Sequence, residues 1–359
     1  MNHPYLLVDT DVVEARAREF VALFPGAQVR YAVKANPEPA VLDAVLSVGA
    51  GFDVAGRAEI ELCLSRGADP AVLAYGNTIK KRDDIAFAYA RGIREFTSDA
   101  LSDIENLAEC APDSLVSIRL LLDAPDSVTP FGRKFGCEPA VALDLARRAV
   151  ALGLRVGLAF HVGSQQLDPR AWEIGIATAA KLAADGIPLE RLNIGGGFPV
   201  SYRDSAPPLA DYAAAISSAL AAYFPDGHPP LLLEPGRVLV ADAGVIRTEV
   251  VLVKPGQPRW VYLDIGRYNG LAETENEAIV YRLLTERDGP SGPVILAGPT
   301  CDGDDVLYQR TPYELPLSLR AGDLVEIPGA GAYTASYASV AFNGIEPLAV
   351  RCVGRFAHA

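Results

Sequence analysis

Lys34 is the residue that first demands a chemical explanation. It stands in VRYAVKANPEPAVL, an apolar, strand-like run that an Asn-Pro turn then stops. Strand alternation puts Val29, Tyr31 and Val33 on one face and Arg30, Ala32 and Lys34 on the other, so the amine is expected to be buried inside whatever the strand encloses. Burial disfavours the ammonium form and leaves the neutral nucleophile that a Schiff base requires. The plainer alternative is a lysine at a strand end whose head reaches solvent and does nothing. Two glycine turns, GGGFP (Gly195, Gly196, Gly197) and EPGR (Glu234 to Arg237), offer bare backbone and N–H donors to a phosphate. A glycine run alone is equally a simple turn. Asp53 in GFDVAG, Arg119, His161 and Ser164 in FHVGSQ, and Cys301 and Asp302 in CDGDD complete the reactive set. Three acids around a glycine can mimic a divalent-metal loop, but without EF-hand spacing or nearby histidines no metal site is expected there.

The elements that must position these residues repeat from residue 29 to about 236. The runs VRYAVKA, GFDVAG, AVLAYGN, REFTSD, LVSIRLLL, VGLAFHVG, RLNIGGG and PLLLEPG alternate with helix-spaced Ala/Leu/Glu/Arg segments. Eight βα units predict a closed (β/α)8 barrel, although an open doubly wound sheet has the same local signals. In such barrels the chemistry sits at the C-terminal strand ends, with phosphate held after strands seven and eight. Lys34, Asp53, Arg119 and His161 fall in or after runs one, two, five and six, and the glycine turns follow runs seven and eight. Beyond residue 243 the texture becomes strands joined by Gly/Pro turns, which predicts a second, all-β domain of sandwich or barrel type. The opening PYLLVD is expected to pair with it. The expected division is therefore 10–243 for the barrel and 1–9 plus 244–359 for the β domain.

With 359 residues, half of them apolar, core size is not limiting. A net charge of -13 opposes nucleic acid and anionic membrane and suits a small cationic substrate. The five cysteines are scattered without CxxC spacing, which fits a reduced, cytoplasmic protein. No basic leader followed by a long apolar stretch opens the chain, and no segment is of membrane-spanning length, so neither export nor a membrane partner is expected.

The motifs YAVKAN, GFDVAG, YGNTIKK, FHVGSQ, GGGFP, EPGR, GPTCDGDD, GAYT and FNG occur in one order from residue 31 to residue 344. In this the chain resembles the barrel-type (fold type III) pyridoxal-phosphate decarboxylases of basic amino acids, the ornithine/lysine/diaminopimelate group, whose architecture is alanine-racemase-like. The resemblance implies that Lys34 holds pyridoxal 5'-phosphate as a Schiff base and that Glu234 keeps the pyridine nitrogen protonated, which strengthens the electron sink. It implies that His161 stacks on the ring, and that Ser164, Gly196, Gly197, Gly236, Arg237 and Tyr333 bind the phosphate. Asp53 and Arg119 are implied as supporting charges, with a structural ion pair as the alternative for either.

By the same likeness Cys301 protonates the α-carbon after carbon dioxide leaves, Asp302 holds the distal ammonium, and Tyr268 and Phe342 wall the pocket. Cys301 and Asp302 reach the site across a two-fold homodimer with shared active sites. Asp302 stands where diaminopimelate-specific relatives carry Glu, which implies ornithine or lysine as substrate. The chain departs from eukaryotic ornithine decarboxylases at Tyr281-Arg282, where they have Tyr-Asp, and this leaves chain-length selection open. Glu273, Glu275 and Glu277 either replace that contact or form a solvated face. The alternatives kept are a decarboxylase of another or modified diamino acid, an amino-acid racemase on the same fold, and a non-catalytic cofactor-binding homologue.

Overall fold

In the computed structural model, which describes residues 4–123 and 127–357, each of the eight runs forms a strand, and each strand is shorter than its run. They are β1 (Gln28–Ala32), β2 (Gly51–Val54), β3 (Leu73–Tyr75), β4 (Glu95–Ser98), β5 (Leu115–Arg119), β6 (Arg155–Ala159), β7 (Leu189–Asn193) and β8 (Leu231–Leu233). Neighbours in sequence are neighbours in space, and β8 returns to pair in parallel with β1, closing the barrel. Closure settles the choice against the open sheet.

Helices Pro39–Leu46 and Pro139–Ala151 begin at proline, which presets φ and gives up only an N–H that has no partner inside the helix. The first buries Ala40, Val41, Leu42, Ala44 and Val45, with about 1.5–3 kcal/mol for each fully buried Val or Leu.

Inside the barrel, Arg30 of β1 is 2% exposed and grips Glu95 of β4 through two bonds of 2.7 and 2.8 Å. Arg191 of β7 adds a third at 3.0 Å. Three strands are thus cross-linked by one carboxylate, and the alternation that sends Arg30 inward is obeyed.

A buried aromatic cluster supports the glycine loop after β7. Phe198, next to Gly197, stacks on Trp172 at 4.7 Å and meets Phe20 and Tyr212 edge-on. The Trp172 indole donates to the Ile194 carbonyl (3.1 Å) and the Tyr212 hydroxyl to that of Gln166 (2.8 Å). Each large ring buried here contributes area and tilted-ring geometry, about 0.5–1.5 kcal/mol per pair beyond burial. The backbone that precedes Phe198 is therefore held on a stiff base.

The chain divides into two units, Glu14–Pro199 with Pro207–Gly236, which carries the barrel, and Met1–Val13 with Val200–Ala206 and Arg237–Ala359. In the second unit the strands are β9 (Gly244–Lys254), β10 (Arg259–Leu263), β11 (Leu284–Thr285), β12 (Ser291–Ala297), β13 (Val306–Pro316), β14 (Leu324–Pro328) and β15 (Ala349–Val353). They form a mixed sheet in the order β11-β14-β9-β10-β12-β13. The N-terminal strand Tyr5–Asp9 joins it between β9 and β15, as its sequence foretold. No helix of the described residues is long and apolar enough to cross a membrane.

Candidate active site

The barrel's reactive residues gather at the C-terminal ends of its strands. Lys34 departs from expectation: β1 ends at Ala32, and Val33–Ala35 form a turn of 3-10 helix. Asn36, which precedes Pro37, is held extended (φ -161°, ψ 107°), as residues before proline are. The turn is thus made one step earlier and lifts the lysine out of the strand alternation. Its side chain is 52% exposed, so the burial read from the sequence is wrong. What holds the amine is Asp53, whose Oδ2 accepts from Nζ at 2.8 Å.

Asp53 itself is 5% exposed, and its buried Oδ1 finds no hydrogen-bond partner among the described residues. Gly76 makes room for that oxygen, since a Cβ there would collide with it. Glu234, just past β8, is pushed up to about 7 by burial and then by the neighbouring Asp53 charge. Lys34, the Asn193 amide and Arg119 pull the other way. Asn193 closes β7 by donating to Glu234 Oε1 (2.7 Å) while its Oδ1 accepts from Gly195 N–H (2.9 Å). One amide therefore ties the acid to the glycine loop.

Gly195 (φ 68°) and Gly197 (φ 102°) occupy backbone that side chains avoid, and a Cβ on Gly196 would strike the Glu234 carbonyl. His161 lies along this strip: added Cβ atoms on Gly195, Gly196 and Gly197 would come within 3.3–3.5 Å of its ring. Its Nδ1 accepts from Gly163 N–H (3.0 Å), which puts any single ring proton on Nε2. Burial, then Arg119 and Lys34, hold His161 well below the ordinary histidine range, so the ring is neutral. Phe131 approaches it at 4.6 Å. Arg119 lies over Phe135 at 4.9 Å; burial lowers it, against Glu234, Asp99 and Asp53. Ser164 starts a short strand paired to Thr129, and Gly236 is buried. The barrel unit thus brings together Lys34, Asp53, Arg119, His161, Glu234 and the glycine strip.

In the second unit Arg237 is 4% exposed and donates to both oxygens of Glu273 (2.6 and 2.7 Å) and to the Tyr202 hydroxyl (2.7 Å), with the Tyr333 ring 4.9 Å from its guanidinium. Glu277 accepts three N–H groups, from Gln309, Arg310 and Thr311. Against the burial that opposes its charge, these bonds bring its carboxyl down to about 2. Glu275 pairs with Arg267 at 3.3 Å. Glu273 and Glu277 are therefore engaged within the fold, whereas Glu275 stays solvent-exposed. Tyr281, which matches the family pattern, is buried, while Arg282, which departs from it, is exposed.

Cys301 is exposed and takes no part in core packing. Its Sγ lies 3.4 Å from Asn343 Nδ2 and 3.6 Å from Oδ1. Tyr268 stacks on Phe342 at 4.4 Å and is raised by burial and then by Asp302, with which it is hydrogen-bonded. Asp305, 2% exposed, accepts from Arg267 N–H, Thr300 N–H and the Thr300 hydroxyl (2.7–3.0 Å), fixing the turn that carries Cys301.

Residues 10–241 match the family described as pyridoxal-dependent decarboxylase, pyridoxal binding domain. The chain belongs to the pyridoxal-dependent decarboxylases. It is 34% identical to a lysine/ornithine decarboxylase of Selenomonas ruminantium over 95% of this chain and 87% of that one. A lysine/ornithine decarboxylase from Vibrio vulnificus, solved with cadaverine, superposes with a TM-score of 0.87 at 32% identity, covering 98% of this chain and 95% of that one. The Paramecium bursaria Chlorella virus arginine decarboxylase bound to agmatine gives 0.90 at 26% identity, with 98% and 96% covered.

In this pyridoxal-dependent decarboxylase the sequence reading missed Asn193, Phe131, Asp305, Asn343 and the Tyr202–Arg237–Glu273 cluster. Asn193 had a signal, an amide closing a strand just before three glycines. Asp305 and Asn343 lay inside the motifs CDGDD and FNG without being singled out, and Phe131 and the Tyr202–Arg237–Glu273 cluster gave no signal because their partners lie far along the chain.

Proposed function

We propose that the chain is an α-decarboxylase of a basic L-amino acid, L-ornithine, L-lysine or both, which it converts to the diamine and carbon dioxide. The carrying observation is Glu234: racemases of this architecture place Arg opposite the pyridine nitrogen, whereas here a carboxyl raised to about 7 faces Asp53 and Lys34. The residues present suit pyridoxal 5'-phosphate. The rim has a strip cleared of Cβ atoms, a neutral imidazole along it, a partly buried acid with a raised pKa, and an amine held by a carboxylate. When bound, the coenzyme supplies an electron sink for the bond between α-carbon and carboxylate.

Lys34 would anchor it, and Asp53 orients that amine. Glu234 would hold the ring-nitrogen proton, and Arg119 balances the acids around it. His161 would offer its ring face. Ser164, Gly196, Gly197 and Gly236 would bind the phosphate, and the family likeness assigns Arg237 and Tyr333 the same role. Because Glu273 already balances Arg237, the phosphate would be met mainly by N–H and hydroxyl donors. Cys301 would give the α-carbon its proton, Asp302 would meet the distal ammonium, and Tyr268 with Phe342 would wall the pocket. Incubated with coenzyme and L-ornithine, L-lysine, L-arginine or meso-diaminopimelate, the enzyme is expected to release carbon dioxide from ornithine or lysine fastest. Silence on all four would defeat the reading. A decarboxylase of another or modified diamino acid is the second reading, kept because Arg282 stands where eukaryotic ornithine decarboxylases have Asp and because Glu273 and Glu277, engaged within the fold, do not replace that contact.

The working unit is proposed as a two-fold homodimer in the reducing cytoplasm, each site using Lys34 of one protomer and Cys301 of the other. Lys34→Ala and Cys301→Ala proteins, mixed and reassociated in equal amounts, should then recover about a quarter of wild-type activity, since half the dimers are hybrids with one intact site of two. Activity no greater than the two variants give separately would place each site within one chain.

A further inference from the structure

We infer that Asn343 is the positioning residue for the Cys301 thiol, and that its amide serves the sulfur both before and after proton delivery. The inference rests on the proposed role of Cys301 as proton donor. Cys301 is exposed, so packing does not fix its rotamer. Its side-chain partner is Asn343, with Nδ2 at 3.4 Å and Oδ1 at 3.6 Å. Sulfur accepts and donates weakly, and an amide can match either role: the carbonyl receives S–H, and the N–H groups support the thiolate.

The backbone is arranged for this contact. Asn343 sits at φ 54°, ψ 14°, a left-handed conformation in which asparagine is several-fold enriched over most side chains. Gly344 N–H bonds back to the Ala341 carbonyl, and Ile345 N–H to that of Phe342. Phe342 is clamped on Tyr268, whose own carbonyl accepts from Ser339 N–H at 2.7 Å. On the other side, Asp305 holds the Cys301 turn to Arg267. Two loops fixed from opposite ends thus meet at one sulfur–amide contact.

In the step itself the S–H bond breaks and a C–H bond forms with the electron pair that the departing carbon dioxide leaves on the α-carbon. The sulfur keeps the S–H electrons as thiolate and is reprotonated from solvent. An N–H pointing at that thiolate steadies it, whereas a carboxylate in the same place would oppose it.

The test uses Asn343→Gly, which keeps the left-handed turn and removes the amide, and Asn343→Asp, which keeps shape and adds charge. In the wild type, Cys301 is the exposed cysteine among five and is followed by iodoacetamide labelling with peptide mapping. At pH 7.5 labelling of Cys301 should slow about tenfold in Asn343→Asp and severalfold in Asn343→Gly, the gap closing at high pH where all the thiols ionise. With substrate, both variants should shift product from diamine toward the carbonyl compound that forms when the proton lands on the coenzyme and the amino group stays there. Wild-type labelling and product ratio in both variants, while Cys301→Ala misdirects protonation, would overturn the inference alone. A Cys301→Ala enzyme giving only diamine at the wild-type rate would overturn the assignment beneath it.

Discussion

Lys34→Ala should lower kcat/KM at least about a thousandfold, close to 4 kcal/mol of lost transition-state stabilisation. After borohydride reduction and peptide mapping, no coenzyme label should remain on the peptide that holds residue 34. The side chain is half exposed in a short turn, so deleting it opens no cavity. It does leave the carboxylate of Asp53 buried beside Glu234 without its cation, and that alone weakens folding. Lys34→Arg separates the two effects. A guanidinium keeps a positive charge for Asp53 but cannot make the carbon–nitrogen bond, so this variant should melt with the wild type and be as inactive as Lys34→Ala. A Lys34→Arg enzyme with wild-type turnover, or label retained elsewhere in Lys34→Ala, would dismiss the anchor.

The barrel was legible because its signal is local and repeated: each β-branched run, turn and helix announces itself, and eight in succession close. The gathering of Lys34, Asp53, Arg119, His161 and Glu234 at one end of the barrel was legible for a related reason, since strand ends inherit their place from the strands. Lys34 shows the limit. Its alternation was read correctly as far as Ala32, and Arg30 does point inward, but the strand ends two residues before the lysine and a turn of 3-10 helix changes burial into exposure. Arg237 shows a second limit. Its motif speaks of phosphate, yet its guanidinium is occupied by Glu273, 36 residues away, in a segment whose acids look like a solvated helix face. The geometry there is not helical: Glu275 (φ -54°, ψ 134°) and Asn276 (φ 54°, ψ 14°) break the turn, so helical spacing predicts nothing about which way the acids point. Pairings of this kind depend on the folded chain, and no periodicity encodes them.

Glu234→Gln should trade activity for stability, and the trade should depend on pH. The ordinary value of this carboxyl is 4.5, and the fold raises it to about 7 through burial and the Asp53 charge. Between those two values the folded protein holds a proton that the unfolded chain releases, so coenzyme-free protein loses stability as pH climbs through the window. The loss is complete above about 7 and approaches about 3.5 kcal/mol, from about 1.4 kcal/mol for each pH unit that separates the folded from the ordinary value. Glutamine keeps the bond from Asn193 Nδ2 through its own carbonyl and has nothing to ionise. The coenzyme-free variant should therefore melt with the wild type near pH 4.5 and above it at pH 8. Its kcat should fall about a hundredfold, since a neutral amide cannot hold a proton on the ring nitrogen and the loss is of charge placed where the reaction needs it. Lowered stability at pH 8 would mean that Glu234 is an ionised, satisfied structural acid there. Wild-type kcat in the variant would mean that it does not face the ring. The gain in one measurement and the loss in the other have one cause: a carboxyl that is costly to ionise in the empty barrel becomes useful once a cation sits beside it.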